Sequence, residues 1–110
     1  MSYRLRITAR ARQDIDRNAT WWANHHSVDQ ALNWSRTVYD QLDALCEFPF
    51  GCSLSPENDK YPIELRDKLV ELGSRPRYRA VFTVREHEVI VLAVRAAEQD
   101  ALRNDDLAVE

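Results

Sequence analysis

Apolar residues are densest between Arg77 and Arg95, where two runs rich in β-branched and aromatic side chains flank the polar pair Glu86-His87. That is the pattern of a β-hairpin. Glu-His lacks the Asn-Gly or Asp-Gly that tight two-residue loops favour, which leaves a longer loop open beside the two-residue one. With Glu86 and His87 as the loop, Arg85 lies opposite Glu88, Val84 opposite Val89, Phe82 opposite Val91 and Ala80 opposite Ala93. Side chains alternate across a sheet, so one face is expected to hold Tyr78, Ala80, Phe82, Val84, Val89, Val91 and Ala93. The other collects Val81, Ile90, Leu92 and Val94 among Arg77, Arg79, Thr83 and Arg85. Neither face is wholly polar, so the hairpin should be central, with helices on one side and partial cover on the other.

The rest of the chain supplies that cover. Tyr3-Arg4-Leu5-Arg6-Ile7 alternates as a half-buried strand does. Thr8 is placed to cap a helix from Ala9, in which Ala11, Ile15, Ala19 and Trp22 share a face, with Asp14, Asp16, Arg10, Arg12 and Arg17 mainly on the solvated side. Trp21 is adjacent to Trp22 and cannot share its direction fully, so one of the two is expected to cover the helix edge or a partner contact. Ser27 with Gln30 forms a capping box for a second helix running from Val28 to about Glu47, and Pro49 ends it. The short break at His25-His26 folds the two helices into an antiparallel hairpin. Residues 49–62 hold three prolines and a glycine and read as a loop. A strand over Asp67–Leu72 then leads, through a turn at Gly73 to Pro76, into the central hairpin. The expected order is β-α-α-β-β-β: an α+β fold in which a helical hairpin packs on one face of a mostly antiparallel four-stranded sheet.

A chain of 110 residues that is 45% hydrophobic and 30% charged fits one domain, 1–110, in which residues 100–110 form an acidic, loosely held tail. No run approaches the ~18 apolar residues that a membrane span requires, and the N-terminus has no signal-peptide core, so the cytoplasm is the expected compartment. The net charge of −3 is unevenly spread: residues 60–95 carry 8 Lys/Arg against 5 Asp/Glu, whereas residues 96–110 carry 1 against 5. The basic middle reads either as solvated strand arginines or as a local anion-binding face. The acidic total gives little general attraction for a nucleic-acid backbone.

Candidate chemistry is sparse. Cys46 and Cys52 are the only cysteines, and His25-His26 lie a helix away, so neither a metal site nor any other cofactor is expected. With two glycines there is no phosphate-cradling loop. His87, at the hairpin tip, has no orienting partner in the sequence. The strand arginines remain: Arg79 in mid-strand and Arg95 at a strand end must each reach solvent, pair with a carboxylate such as Glu64, Glu88 or Glu98, or meet an anionic ligand.

The element order, the opening Tyr3-Arg4-Leu5-Arg6-Ile7-Thr8, the approach Ile63-Glu64-Leu65-Arg66 to Gly73, and above all Tyr78-Arg79-Ala80-Val81-Phe82-Thr83-Val84 followed by Val89-Ile90-Val91-Leu92-Ala93-Val94-Arg95 resemble the RelE/ParE superfamily of toxins from bacterial type II toxin-antitoxin modules. The resemblance spans about residues 3 to 99. It implies a growth-inhibiting toxin, of the kind tied to plasmid stabilisation, that a cognate antitoxin neutralises in a hetero-oligomer. The cellular target is either the ribosome, where messenger RNA is cleaved, or DNA gyrase.

In the nuclease branch of the resemblance, Arg79 matches the arginine that binds the scissile phosphate. Ala96 stands where a histidine is usual, and Glu98 and Gln99 stand where basic residues are usual. Metal-free RNA cleavage needs a base for the 2′-hydroxyl, a stabiliser for the phosphorane and an acid for the leaving oxygen. A degenerate nuclease site would draw on Arg66, Lys68, Arg79 and Arg95, which supply charge but no proton transfer, and His87 lies about seven residues, or ~23 Å of strand, away. The expectation is therefore a ParE-like, gyrase-poisoning toxin, leaning away from enzymatic function. The alternatives are a RelE-like ribosome-dependent endonuclease and an inactive toxin-like binding module. Trp21, Trp22, Arg77, Arg79, Arg85 and Arg95 are the expected partner-binding residues, and the basic middle suits an acidic antitoxin tail.

Overall fold

The computed structural model describes residues 2–71 and 78–96. Strand β1 (Arg4–Ile7) leads into helices α1 (Ala9–His25) and α2 (Val28–Leu45), and strands β2 (Arg66–Val70), β3 (Tyr78–Arg85) and β4 (Glu88–Ala96) follow. The sheet order is β1-β4-β3-β2, with β1 parallel to β4 and the other pairs antiparallel. The expected α+β arrangement of a helical hairpin on a mostly antiparallel four-stranded sheet is what the chain forms. Arg77 and the tail 100–110 lie outside the described residues, as do Glu98 and the turn at Gly73 to Pro76.

Local chemistry explains the helix ends. Thr8 Oγ1 accepts from Ala11 N at 3.2 Å, and Ser27 Oγ accepts from Gln30 N at 3.1 Å, each satisfying one of the orphan donors of a first turn. The chain between the helices is too short for anything but an antiparallel return, and Trp22 seals it from within: its indole N–H donates to the Tyr78 hydroxyl at 3.2 Å.

The helix-side core joins Ala11 and Ile15 of α1 and Trp34, Val38, Leu42 and Leu45 of α2 to Tyr78, Ala80, Phe82, Val89, Val91 and Val94 of the hairpin. A second, smaller core on the far face holds Leu65, Val81, Ile90, Leu92 and Ala93, with Tyr61 and Ile63 of the connecting segment packed over it. β3 and β4 are thus covered on both sides, as their continuous apolar runs require.

One open point is settled and two expectations change. The hairpin turn is a two-residue one, because Arg85 pairs with Glu88; Glu86 meets the geometry by adopting φ 58°, a conformation costly for a side chain with a Cβ. The pairing counted from the turn holds as far as Phe82 opposite Val91, and then a β-bulge intervenes: Val81 faces Ala93 and Ala80 faces Val94. One extra residue in β4 flips the alternation, so Val94 joins the helix-side core and Ala93 the far one. Asp14, expected on the solvated side, is 2% exposed. Its Oδ2 accepts from the backbone N–H of Val94 at 3.0 Å, next to the bulge, while Arg10 and Arg17 reach its Oδ1. The displaced ladder leaves a buried donor, and Asp14 of α1 answers it, fastening helix to sheet.

Candidate functional site

The segment between α2 and β2 is drawn over the far face of the sheet. Two short helical turns, at Pro49–Gly51 and Asn58–Lys60, shape it, and Asn58 Oδ1 holds it by accepting from Leu65 N at 2.8 Å. This lays Glu57 beside Arg79. The Arg79 guanidinium donates twice to Glu57, Nη2 to Oε1 at 2.5 Å and Nη1 to Oε2 at 3.0 Å, and once to Asp67 Oδ2 at 3.1 Å. Ser55 Oγ donates to Glu57 Oε2 at 2.6 Å. With that proton committed, Asp67 Oδ1 is buried and meets no hydrogen-bond partner among the described residues.

Arg79 is therefore paired, as one sequence reading allowed, though with Glu57 and Asp67 rather than Glu64 or Glu88. The side chains of Arg79, Glu57 and Asp67 are 8%, 3% and 13% exposed. Burial alone pulls the guanidinium pKa down, but the bonds and charges of the two carboxylates outweigh it and leave Arg79 above its ordinary value. Burial likewise dominates at Asp67 and lifts its carboxyl above the usual range; Arg79 offsets only part of that, and Glu57 adds repulsion.

The remaining basic candidates do not gather around Arg79. The pairing of Arg66 with Phe82 and of Lys68 with Ala80 turns both toward the helix-side face, whereas Arg79 and its partner across the hairpin, Arg95, belong to the far face. Arg66 is further committed: Nη1 donates to Cys52 O at 2.6 Å, Nε pairs with Glu64 at 3.1 Å, and the guanidinium stands 5.2 Å from the Phe50 ring centroid. Arg95 is half-buried and Arg85 exposed at the hairpin end.

Histidines are remote from this cluster. His87 is in the hairpin turn, and His25 and His26 cluster with the tryptophans at the helix junction, where Trp21 stacks on His25 at 4.3 Å and Trp22 approaches His26 at 4.6 Å. Trp21 remains 45% exposed, and Val28 and Leu32 near by are exposed as well. Cys46 and Cys52 are both free thiols whose pKa burial raises, and no group of three or more metal-ligating side chains forms among the described residues.

Sequence reasoning missed Glu57 and Asp14. Neither offered a pattern: one sits in a Ser/Pro-rich loop, the other among arginines that suggest a solvated face. The signal available for Glu57 was indirect, a mid-strand arginine on a partly apolar face that had to find a carboxylate somewhere.

The family model of the ParE toxin of the type II toxin-antitoxin system parDE matches residues 5–101. The chain belongs to the ParE toxin family. Among solved structures it is similar to the chromosomal ParDE TA system from P. aeruginosa, at 21% identity and a TM-score of 0.70, over 88% of this chain and 98% of that one. It is also similar to a mutant of the E. coli toxin RelE in the free state, at 22% identity and a TM-score of 0.54, over 89% of this chain and 86% of that one. No curated protein matches it. At such identities the structures speak to the fold, and the family match to the class: this ParE-family chain is the toxin of a type II module, with a cognate antitoxin as partner. The ParE-like reading is favoured over the RelE-like one. No described helix is long and apolar enough to cross a membrane.

Proposed function

We propose that the chain is a non-nucleolytic toxin that acts in the cytoplasm by poisoning DNA gyrase and is silenced by its antitoxin. The observation that carries the reading is the enclosure of Arg79. A carboxyl with a raised pKa beside an arginine is what an RNA-cleaving site would employ, but here Glu57 and Asp67 are 3% and 13% exposed and already bonded to that arginine. A ribose hydroxyl and its phosphate have no approach to them. Arg66 and Lys68 face the other side of the sheet, so the four cations of a degenerate nuclease site are divided between two surfaces. An acidic protein of pI about 5.6 also lacks the charge that favours binding inside a ribosome.

What is left for gyrase is surface. Trp21, Trp22, Arg85 and Arg95 are the residues offered for partner contact, and Arg79, across the hairpin from Arg95, serves as a structural cation. Induced expression without the antitoxin is expected to cause DNA breaks and an SOS response, and the purified toxin to inhibit supercoiling by gyrase. Cleavage of transcripts on translating ribosomes, abolished by Arg79→Ala in a protein that still folds, would overturn the proposal.

A further inference from the structure

The segment that covers Arg79 is fastened along β2 and then passes beneath the sheet. Asp67 N donates to Ser53 O at 3.1 Å, Leu54 bridges to Arg66 in antiparallel fashion, and Ser55 N donates to Leu65 O at 2.8 Å. Asn58 Oδ1 closes the other end by accepting from Leu65 N at 2.8 Å. Residues 53–58 thus form a strap that sets the buried side chains of Ser55 and Glu57 against Asp67 of β2 and Arg79 of β3.

Counted bond by bond among the described residues, the cluster is one hydrogen short. Ser55 Oγ gives its proton to Glu57 Oε2 at 2.6 Å and accepts from Glu57 N at 3.3 Å, which uses one of its two lone pairs. Asp67 Oδ2 accepts from Arg79 Nη1 at 3.1 Å, whereas Oδ1 is buried and meets no donor among the described residues. Ser55 nevertheless lies close enough to Asp67 to bias its ionisation. Two acceptor oxygens with no hydrogen between them therefore stand where one bond would fit, and a buried acceptor left without a donor is costly.

We propose that Asp67 is a proton-operated latch for this strap. When Asp67 takes up a proton from solvent, Oδ1–H donates to Ser55 Oγ, which goes on donating to Glu57 Oε2, and Glu57 goes on accepting from Arg79. The new bond ties β2 to the strap, and no existing bond is given up for it. When the proton leaves, that tie is lost and two like charges share Arg79. Burial favours the neutral carboxyl most strongly; Arg79 pulls the other way, and Glu57 adds to the effect of burial. Of the remaining charges, Arg95 of β4 stands across the hairpin from Arg79 on the same face, Arg66 and Lys68 turn to the other face, and Glu64 is paired with Arg66. The strap is therefore closed most tightly in acid, and its opening becomes easier as pH rises from the ordinary carboxylate range through the raised one. Opening admits water to the second core, where Leu65 and Val81 are fully buried.

Two measurements on the full chain test the latch. Carbon NMR of the Asp67 carboxyl, followed against pH, is expected to give a midpoint above the ordinary carboxylate range, and Ser55→Ala to bring that midpoint down by removing the acceptor of the proton. A midpoint at or below the ordinary range overturns the proposal. So does one that holds or rises in Ser55→Ala, because the serine would then not be accepting from Asp67. Hydrogen exchange, corrected for its intrinsic pH dependence, is expected to show protection of the Ser55 and Leu65 amides falling about fivefold between pH 4.5 and 8, the equivalent of one net hydrogen bond. The helix-cap amides of Ala11 and Gln30 should hold steady. In Asp67→Asn the side-chain amide supplies the missing donor at every pH, so strap protection is expected to stay at its acid level throughout. Wild-type protection that ignores pH, or that varies as steeply in Asp67→Asn, refutes the latch.

Discussion

Replacing Arg79 with methionine keeps a stem of similar length and removes the cation from a place where it holds two buried carboxylates. Three hydrogen bonds are lost, two to Glu57 and one to Asp67. Both acids remain in a setting where their side chains are 3% and 13% exposed, and Asp67 Oδ1 already lacks a partner among the described residues. Removing one member of a buried ion pair costs about 3–5 kcal/mol, largely because the charge left behind is uncompensated. Against a total of about 5–15 kcal/mol for an ordinary domain, that is about a fifth of the stability or more. At ~4–8 °C per kcal/mol for a domain near this size, Tm is expected to fall by on the order of 15 °C. The loss has a pH signature. Without Arg79 the folded-state pKa of Asp67, already raised by burial, climbs further above its unfolded value, so the penalty is complete above the folded pKa and lifts as pH falls through it. Urea and thermal melts followed by circular dichroism at pH 8, 6 and 5 are therefore expected to show the deficit shrinking toward acid, and Arg79→Met/Glu57→Gln to recover part of it at pH 8. A deficit under ~1 kcal/mol, or one indifferent to pH, would refute the reasoning that the triad is a buried charge cluster.

Asp67→Asn should be tolerated: burial lifts the native carboxyl pKa, so wild type gives up stability as pH rises from the ordinary carboxyl value through the raised one, and the variant does not. Its stability relative to wild type is expected to climb across that window in urea melts, and a loss above ~1 kcal/mol at pH 7 would count against it. Asp14→Ala leaves the buried N–H of Val94 without its acceptor and is expected to cost about 1–3 kcal/mol, read as a lowered urea midpoint at constant m. Glu86→Gly relieves the positive φ at the hairpin turn, and a net gain of roughly 0.5 kcal/mol is expected after the entropy of glycine is subtracted, measured as a rise in Tm.

The periodic parts of the fold were legible before any coordinates. Both caps and both helices follow from short-range rules, and the hairpin partners nearest the turn follow from counting outward. Counting fails at the bulge, because Leu92, Ala93 and Val94 are all apolar and a one-residue slip leaves no trace in a run that is buried on both faces. The site was less legible for a related reason. The partner of Arg79 is fixed by how the segment from Pro49 to Leu65 drapes over the sheet, a tertiary fact with no period. Asp14 shows the converse: its arginine neighbours suggest solvent, yet one of its oxygens faces a backbone donor 80 residues on. The division of the basic residues between two faces, by contrast, could be read from strand alternation once the strand boundaries were known.

The parallel pairing of β1 with β4 has a consequence for synthesis. Arg4 lies opposite Glu88, so the strand translated first waits for the strand translated last. At about 5–20 residues per second, roughly 4–17 s separate the two. During that interval the helical hairpin has no sheet to lie on, and Asp14 has no bulge to grip. The finished sheet does not exist while the nascent chain is short, which gives an antitoxin made at the same time a head start on the poison it restrains.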